Sequence, residues 1–257
     1  MEYFLIPIVS LAASLVTLFS GFGLGTILLP VYAIFFSLNI SISLTAIIHF
    51  INNIFKVIVL GKYANINVVA RFGLPALVSA FFGAWILKYL SDIKPIFNYS
   101  INTNTFSITA LKVVVGFLIV VFALFDLMPK LQKIQFDKKY LFLGGLLSGL
   151  FGGISGHQGA LRSTFLIKCD LSKESFIGTG VVIACMVDIS RLITYGSFFS
   201  RDILSKNITL LVLTILFSLL GVLLGNKLLK KIIYESIQKL VGLMLITIGI
   251  LLIAGIV

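Results

Sequence analysis

The chain has 257 residues, 59% of them apolar types and only 11% charged, with a mean hydropathy of +1.15. A water-soluble domain carries roughly a quarter charged residues, so too little polar surface is present to cover one, and no sizeable soluble domain is expected. The net charge is +11, from 20 Lys and Arg against 9 Asp and Glu. The basic residues fall in short gaps between apolar runs, which points to anchoring by the positive-inside rule and away from nucleic acid.

Apolar runs lie at 4–20, 25–37, 41–60, 70–90, 108–128, 139–155, 158–168, 175–197, 207–226 and 236–256. Met1-Glu2-Tyr3 has no basic region, and no small-residue cleavage site precedes the first run, so that run reads as a retained helix and not a signal peptide. Continuous runs without period-2 alternation predict helices, because lipid leaves the backbone only helices or closed barrels. Four runs are not ordinary spans. Only Gly21-Phe22-Gly23-Leu24-Gly25 separates 4–20 from 25–37, and only a break near Gly156-His157 separates 139–155 from 158–168. The second members are short, reaching about 20 and 17 Å at 1.5 Å per residue.

The two halves repeat. Ser20-Gly21, Asn53, Lys56 and Gly61 recur as Ser155-Gly156, Asp188, Arg191 and Gly196, each 135 residues on. Gly83 pairs with Gly221, and Val115-Gly116 with Val241-Gly242, at offsets of 138 and 126. Duplication of this kind is common in secondary transporters. The expected organisation is a first repeat at 1–128, a cytoplasmic linker at 129–138 and a second repeat at 139–257.

Charge selects the topology. If 4–37 and 139–168 each cross once, the two faces collect 8 and 9 basic residues. If each is a broken hairpin that enters and returns, one face holds 12, among them Lys62, Arg71, Lys138, Lys139, Lys168 and Lys173. The other face then holds 5, namely Lys88, Lys94, Lys112, Arg201 and Lys206. Only the hairpin arrangement obeys the positive-inside rule. It predicts an all-α polytopic protein of the cell (inner) membrane, with two inverted five-segment repeats, broken or re-entrant helices, and both termini away from the cytoplasm.

Lys56, Arg162 and Arg191 are the basic residues left over, and they fall inside apolar segments. Each costs at least about 2.5–3.5 kcal/mol to insert, so each should face a cavity or a partner. Asp188 lies three residues before Arg191 on the same helix face. Two readings stay open: Asp188 neutralises Arg191 while Lys56 snorkels, or the group forms a substrate or proton site. Recurrence in both halves favours the second. Glycines at the breaks free backbone N–H groups, and a helix starting there aims its positive end at mid-membrane, which suits an anion. The ladders Gly145/Gly149/Gly153 and Gly144/Gly152/Gly156 read instead as helix packing. His157 and Gln158 follow the second break, and Gln158 shares a face with Arg162. His49, one turn before Asn53, is a weaker candidate. Against Asp188, the inner basic set sums to +2. The candidate substrate-binding residues are Gly21, Phe22, Gly23, Gly25, Asn53, Lys56, Gly156, His157, Gln158, Gly159, Arg162, Asp188 and Arg191.

A Gly-rich break soon followed by Leu29-Pro30, the near-copy Gly152-Gly153-Ile154-Ser155-Gly156-His157-Gln158-Gly159, and the whole-chain repeat resemble the sulfite exporter TauE/SafE family. The resemblance implies a permease for sulfite, organosulfonates or related organic anions. The expectation is an exporter of a small anion working by alternating access, with a passive anion channel as the alternative. No phosphate loop and no His-Glu-x-x-His motif occurs, Cys169 and Cys185 have no metal or redox spacing, and no enzyme activity, metal or cofactor is expected. The partners are the anion and the lipid bilayer, with no nucleic acid; a homodimer is left open.

Overall fold

Each apolar run folds as one helix. The computed structural model describes residues 1–20, 23–196, 201–228 and 234–257. The first half contains α1 (Glu2–Ser20), α2 (Leu24–Phe35), α3 (Leu38–Leu60), α4 (Ile66–Ser91, with a π turn at Val69–Gly73) and α5 (Ala110–Leu127). The second contains α6 (Leu141–Ser155), α7 (Gly159–Leu166), α8 (Lys173–Tyr195), α9 (Arg201–Leu228) and α10 (Tyr234–Ile253). Polar caps set several starts: the side chains of Asn65, Thr109 and Ser172 accept from the N–H groups of Val68, Lys112 and Ser175. By length and composition, four helices could cross a membrane, those within Leu38–Tyr63, Ile66–Ser91, Lys173–Tyr195 and Ser205–Gly225.

The polarity is reversed relative to a soluble protein. Large apolar side chains such as Ile58, Phe82, Trp85, Phe117 and Leu243 point outward, while Ser10, Ser14, Asn52, Asp188, Thr214 and Ser218 are fully buried. Lipid solvates the former, and inter-helix hydrogen bonds satisfy several of the latter. Ser10 donates to the Thr214 carbonyl, and the Asn52 amide to Ser14 and the Ser218 carbonyl. The chain is a helical membrane protein.

Small residues set the helix pairing. A Cβ at Gly145, Gly149 or Gly153 would run into the carbonyl oxygens of Phe72, Ala76 or Ala80, so α6 lies backbone to backbone along α4, running parallel to it. A Cβ at Gly221 would strike the Leu11 carbonyl, and α9 likewise runs parallel to α1. Gly116 faces Gly249 while Leu127 faces Gly242, so α5 and α10 are antiparallel. Gly178 meets the Leu60 carbonyl, and Asn53 reaches Asp188, so α3 and α8 are antiparallel too. Exchanging the halves turns the α4–α6 contact into the α9–α1 contact and returns the other two pairs to themselves.

The α6–α7 stretch turns back on itself. Lys138 pairs with Asp170, and Lys168 with Asp137 at 3.0 Å. Arg71, Lys138 and Lys139 line one groove. Residues on both sides of the hairpin thus gather at one end of the bundle, whereas a single crossing would separate Lys168 from Lys138. One feature was not anticipated: Phe97–Ile101 and Asn104–Ile108 form an antiparallel hairpin, with Asn102 in the left-handed region at φ 54°. Its Tyr99 hydroxyl donates to the Ala254 carbonyl, tying it to the end of the chain.

Candidate functional site

The two helix breaks and the buried charges converge between α3 and α8. At the second break Gly156 takes φ +78°, a conformation that closes α6, and its N–H bonds the Gly152 carbonyl. The chain restarts as α7 at Gly159. Neither start, Gly23 for α2 nor Gln158 for α7, has a side-chain cap, so the first-turn N–H groups are left to other partners. Gly21 and Phe22 lie outside the described residues.

His49, Asn53 and Lys56 are spaced by four and three residues, which aligns them on one face of α3. The facing stripe on α8 is Gly180, Ala184, Asp188 and Arg191. Between these faces and the starts of α2 and α7 lies a cavity of about 50 Å³. Its wall includes Thr17, Gly23, His49, Asn53, Lys56, Gln158, Gly159 and Arg162. It extends past Ser163 and Leu166 to Phe176 and Ile177 in the opening turns of α8, toward the end that carries Lys168 and Lys173.

Asp188 forms the structural knot of the site. Its Oδ2 lies 2.7 Å from His49 Nδ1 and accepts from the Asn53 amide at 2.8 Å; its Oδ1 accepts from Arg191 Nη1 at 3.3 Å. All four residues are buried. The Arg191 guanidinium also lies over the Tyr195 ring and beneath Gly156, where a Cβ would come within 3.0 Å of Nη2. Mutual neutralisation of Asp188 and Arg191 is therefore realised, and the pair is braced against the break.

Lys56 and Arg162 are arranged differently. Lys56 is only 4% exposed, so it does not snorkel, and among the described residues it has no hydrogen-bond or ion-pair partner. Arg162 lies along Gly180, where a Cβ would stand 3.3 Å from its Nε, and its buried Nη1 has no hydrogen-bond partner among the described residues. Both polar atoms of the buried Gln158 amide are unpartnered as well. Buried polar groups are rarely left so. Two cations, an amide and two uncapped helix starts around one small cavity are a set of donors that an oxyanion would satisfy.

Of the residues expected from sequence, Gly23, Asn53, Lys56, Gln158, Gly159 and Arg162 line the cavity. Asp188 and Arg191 stand one layer behind it. Gly25 packs against His49 and Thr45, and Gly156 against Arg191. His157 is outside the lining: its Nδ1 lies 2.9 Å from the Ser155 carbonyl, and its ring stacks on Phe122 at 6.2 Å. His49, ranked low from sequence, is in the wall. Its four-residue spacing from Asn53 and seven-residue spacing from Lys56 was the signal for it.

Fold and site are those of a helical membrane protein with a donor-lined cavity, and the family match makes the class one of transporters, not of enzymes. The chain belongs to the sulfite exporter TauE/SafE family, whose model matches residues 6–252. Searches of the curated proteins and of the solved structures returned no match. Family membership makes it a transporter of sulfite or related anions.

Proposed function

We propose that this chain is a secondary transporter that exports a small anion, such as sulfite, an organosulfonate or a carboxylate, by alternating access between two inverted repeats at 1–128 and 139–257. The observation that carries the reading is that Lys56 and Arg162, whose side chains have no hydrogen-bond or ion-pair partner among the described residues, line one cavity beside two helix starts. The volume agrees: a water needs about 10–15 Å³ by this measure, so a cavity of about 50 Å³ suits a few waters or a small oxyanion.

Alternating access is supported by the reciprocal helix pairing. The counterparts α3 and α8 run antiparallel, as do α5 and α10, which inversion requires. Asn53 and Asp188, matched in the repeat, meet each other at the interface between halves. The cavity reaches toward the end rich in Lys and Arg, which the positive-inside rule assigns to the cytoplasm, so this is an inward-facing arrangement. In this topology the 129–138 linker is cytoplasmic and both termini are external.

Thermal stabilisation of the purified protein tests the reading, across a panel of sulfite, sulfoacetate and taurine. Stabilisation by a member of the panel that saturates, and is lost in Arg162→Ala, is expected. A panel that shifts nothing overturns the anion site. Labelling of an engineered cysteine at Lys133 from the external face only would overturn the topology.

A further inference from the structure

We infer that the His49–Asp188 pair is a proton site coupled to the anion cavity, so that the protein moves a proton in the same direction as each anion. This rests on the transport reading above. His49 Nδ1 lies 2.7 Å from Asp188 Oδ2, and the carboxylate is held further by Asn53 and Arg191. With Asp188 ionised, Nδ1 carries a hydrogen and donates it. The second ring nitrogen, Nε2, stands over Gly23, where a Cβ would come within 3.2 Å of it. Gly23 and His49 both line the cavity; Nε2 also lies 3.4 Å from the Asn53 amide nitrogen, a contact that a proton arriving on Nε2 would replace.

The charged and titratable groups around this imidazole are few. Its own helix presents Lys56; α8 presents Cys185, Asp188, Arg191 and Tyr195; α7 presents Arg162, and the α6–α7 break presents His157. Among the described residues α1 and α2 contribute Thr17 and Gly23 to the same cavity, and neither titrates. With the cavity empty, a proton on Nε2 would add a further cation to a wall that already holds Lys56 and Arg162. With an anion in place, the same proton gains an attractive partner and a hydrogen bond. Proton and anion therefore bind cooperatively, and by linkage each tightens the other equally.

The step itself is simple. A proton adds to the Nε2 lone pair, the Nδ1–H bond to Asp188 is kept, and neutral imidazole becomes imidazolium. It leaves by the reverse step when the anion departs. His49 belongs to the first half and Asp188 to the second, so rocking of the halves carries the pair from one access state to the other. With a divalent anion, one accompanying proton still leaves one net negative charge, and an interior-negative potential still drives export.

The test uses the full chain in liposomes enclosing an impermeant pH dye, with sulfoacetate, whose sulfonate remains ionised near neutrality, as the anion. Sulfoacetate exchange, which needs no net proton movement, is measured first. Net inward flux should then acidify the lumen by about one proton per anion, and His49→Gln should bring that ratio toward zero whatever its overall rate. Sulfoacetate binding to the wild type in weak buffer should take up protons and tighten as pH falls. Net flux with no lumen acidification, a proton-to-anion ratio unchanged in His49→Gln, or pH-independent binding without proton uptake would each overturn the inference while leaving transport standing. Absence of exchange in the wild type would overturn the transport reading, and the inference with it.

Discussion

Truncating Arg162 to alanine removes one of the two cations that line the cavity while leaving the Asp188 knot intact. A charge-assisted hydrogen bond to a bound anion contributes about 1.5–3 kcal/mol. At about 1.4 kcal/mol per decade, the affinity should fall by about tenfold to a hundredfold. A second estimate gives an upper bound: opposite unit charges 4 Å apart at an effective dielectric of 20 attract by about 4 kcal/mol, part of which water entering the vacated space restores. The unliganded protein should not lose stability in proportion. Arg162 shares its cavity with Lys56, and its Nη1 forms no bond that the mutation breaks. Isothermal titration of the stabilising anion gives the affinity, and a melt without ligand gives the stability. Lys56→Met should behave alike, because Lys56 is buried in the same wall. An Arg162→Ala protein that is folded and binds as tightly as the wild type would refute the site.

Three further outcomes follow from the packing and the surface charges. Asp188→Ala leaves Arg191 without its acidic partner in a buried setting, and breaking such a pair costs about 3–5 kcal/mol; thermal melts in detergent should show the loss, and an unchanged midpoint would contradict the knot. Gly149→Leu places a side chain where α6 meets the Ala76 carbonyl, so yield and midpoint should both collapse, overpacking costing about 1–3 kcal/mol or more. At the surface, the hydrogen bond from Lys168 holds the Asp137 carboxyl below its ordinary range. That contribution is present above the unfolded value near pH 3.9 and is lost as pH falls through the lower folded value. The difference in midpoint between wild type and Asp137→Asn should therefore shrink on acidification, and a widening gap would reverse the sign.

The hydrophobic runs marked the helices because insertion cost is local and additive along the chain. The breaks were legible for a related reason, since glycines at Gly23 and Gly156 interrupt runs that otherwise never stop. The hairpin over 97–108 was also written in the chain, as Phe97, Tyr99 and Ile101 alternating with polar residues before Asn102, but its short period was lost among long apolar stretches. The ladder of Gly145, Gly149 and Gly153 declared a packing face without saying which helix it packs on; the Phe72, Ala76 and Ala80 carbonyls identify α4.

By itself the sequence determined that this is a helical membrane protein with two glycine-interrupted apolar stretches and three basic residues lodged in apolar segments, because each of those facts is a transfer energy summed over neighbours in the chain. It also suggested an anion, from the sign of the charge left over. Tertiary structure alone decided how that charge is distributed. Arg191 is neutralised by Asp188 and braced by Gly156, whereas Lys56 and Arg162 reach one cavity without an ion-pair partner among the described residues. It also decided that His49, not His157, stands in the wall. Electrostatic pairing depends on which helix faces confront each other across a few ångströms, and no periodicity within a single helix encodes that choice.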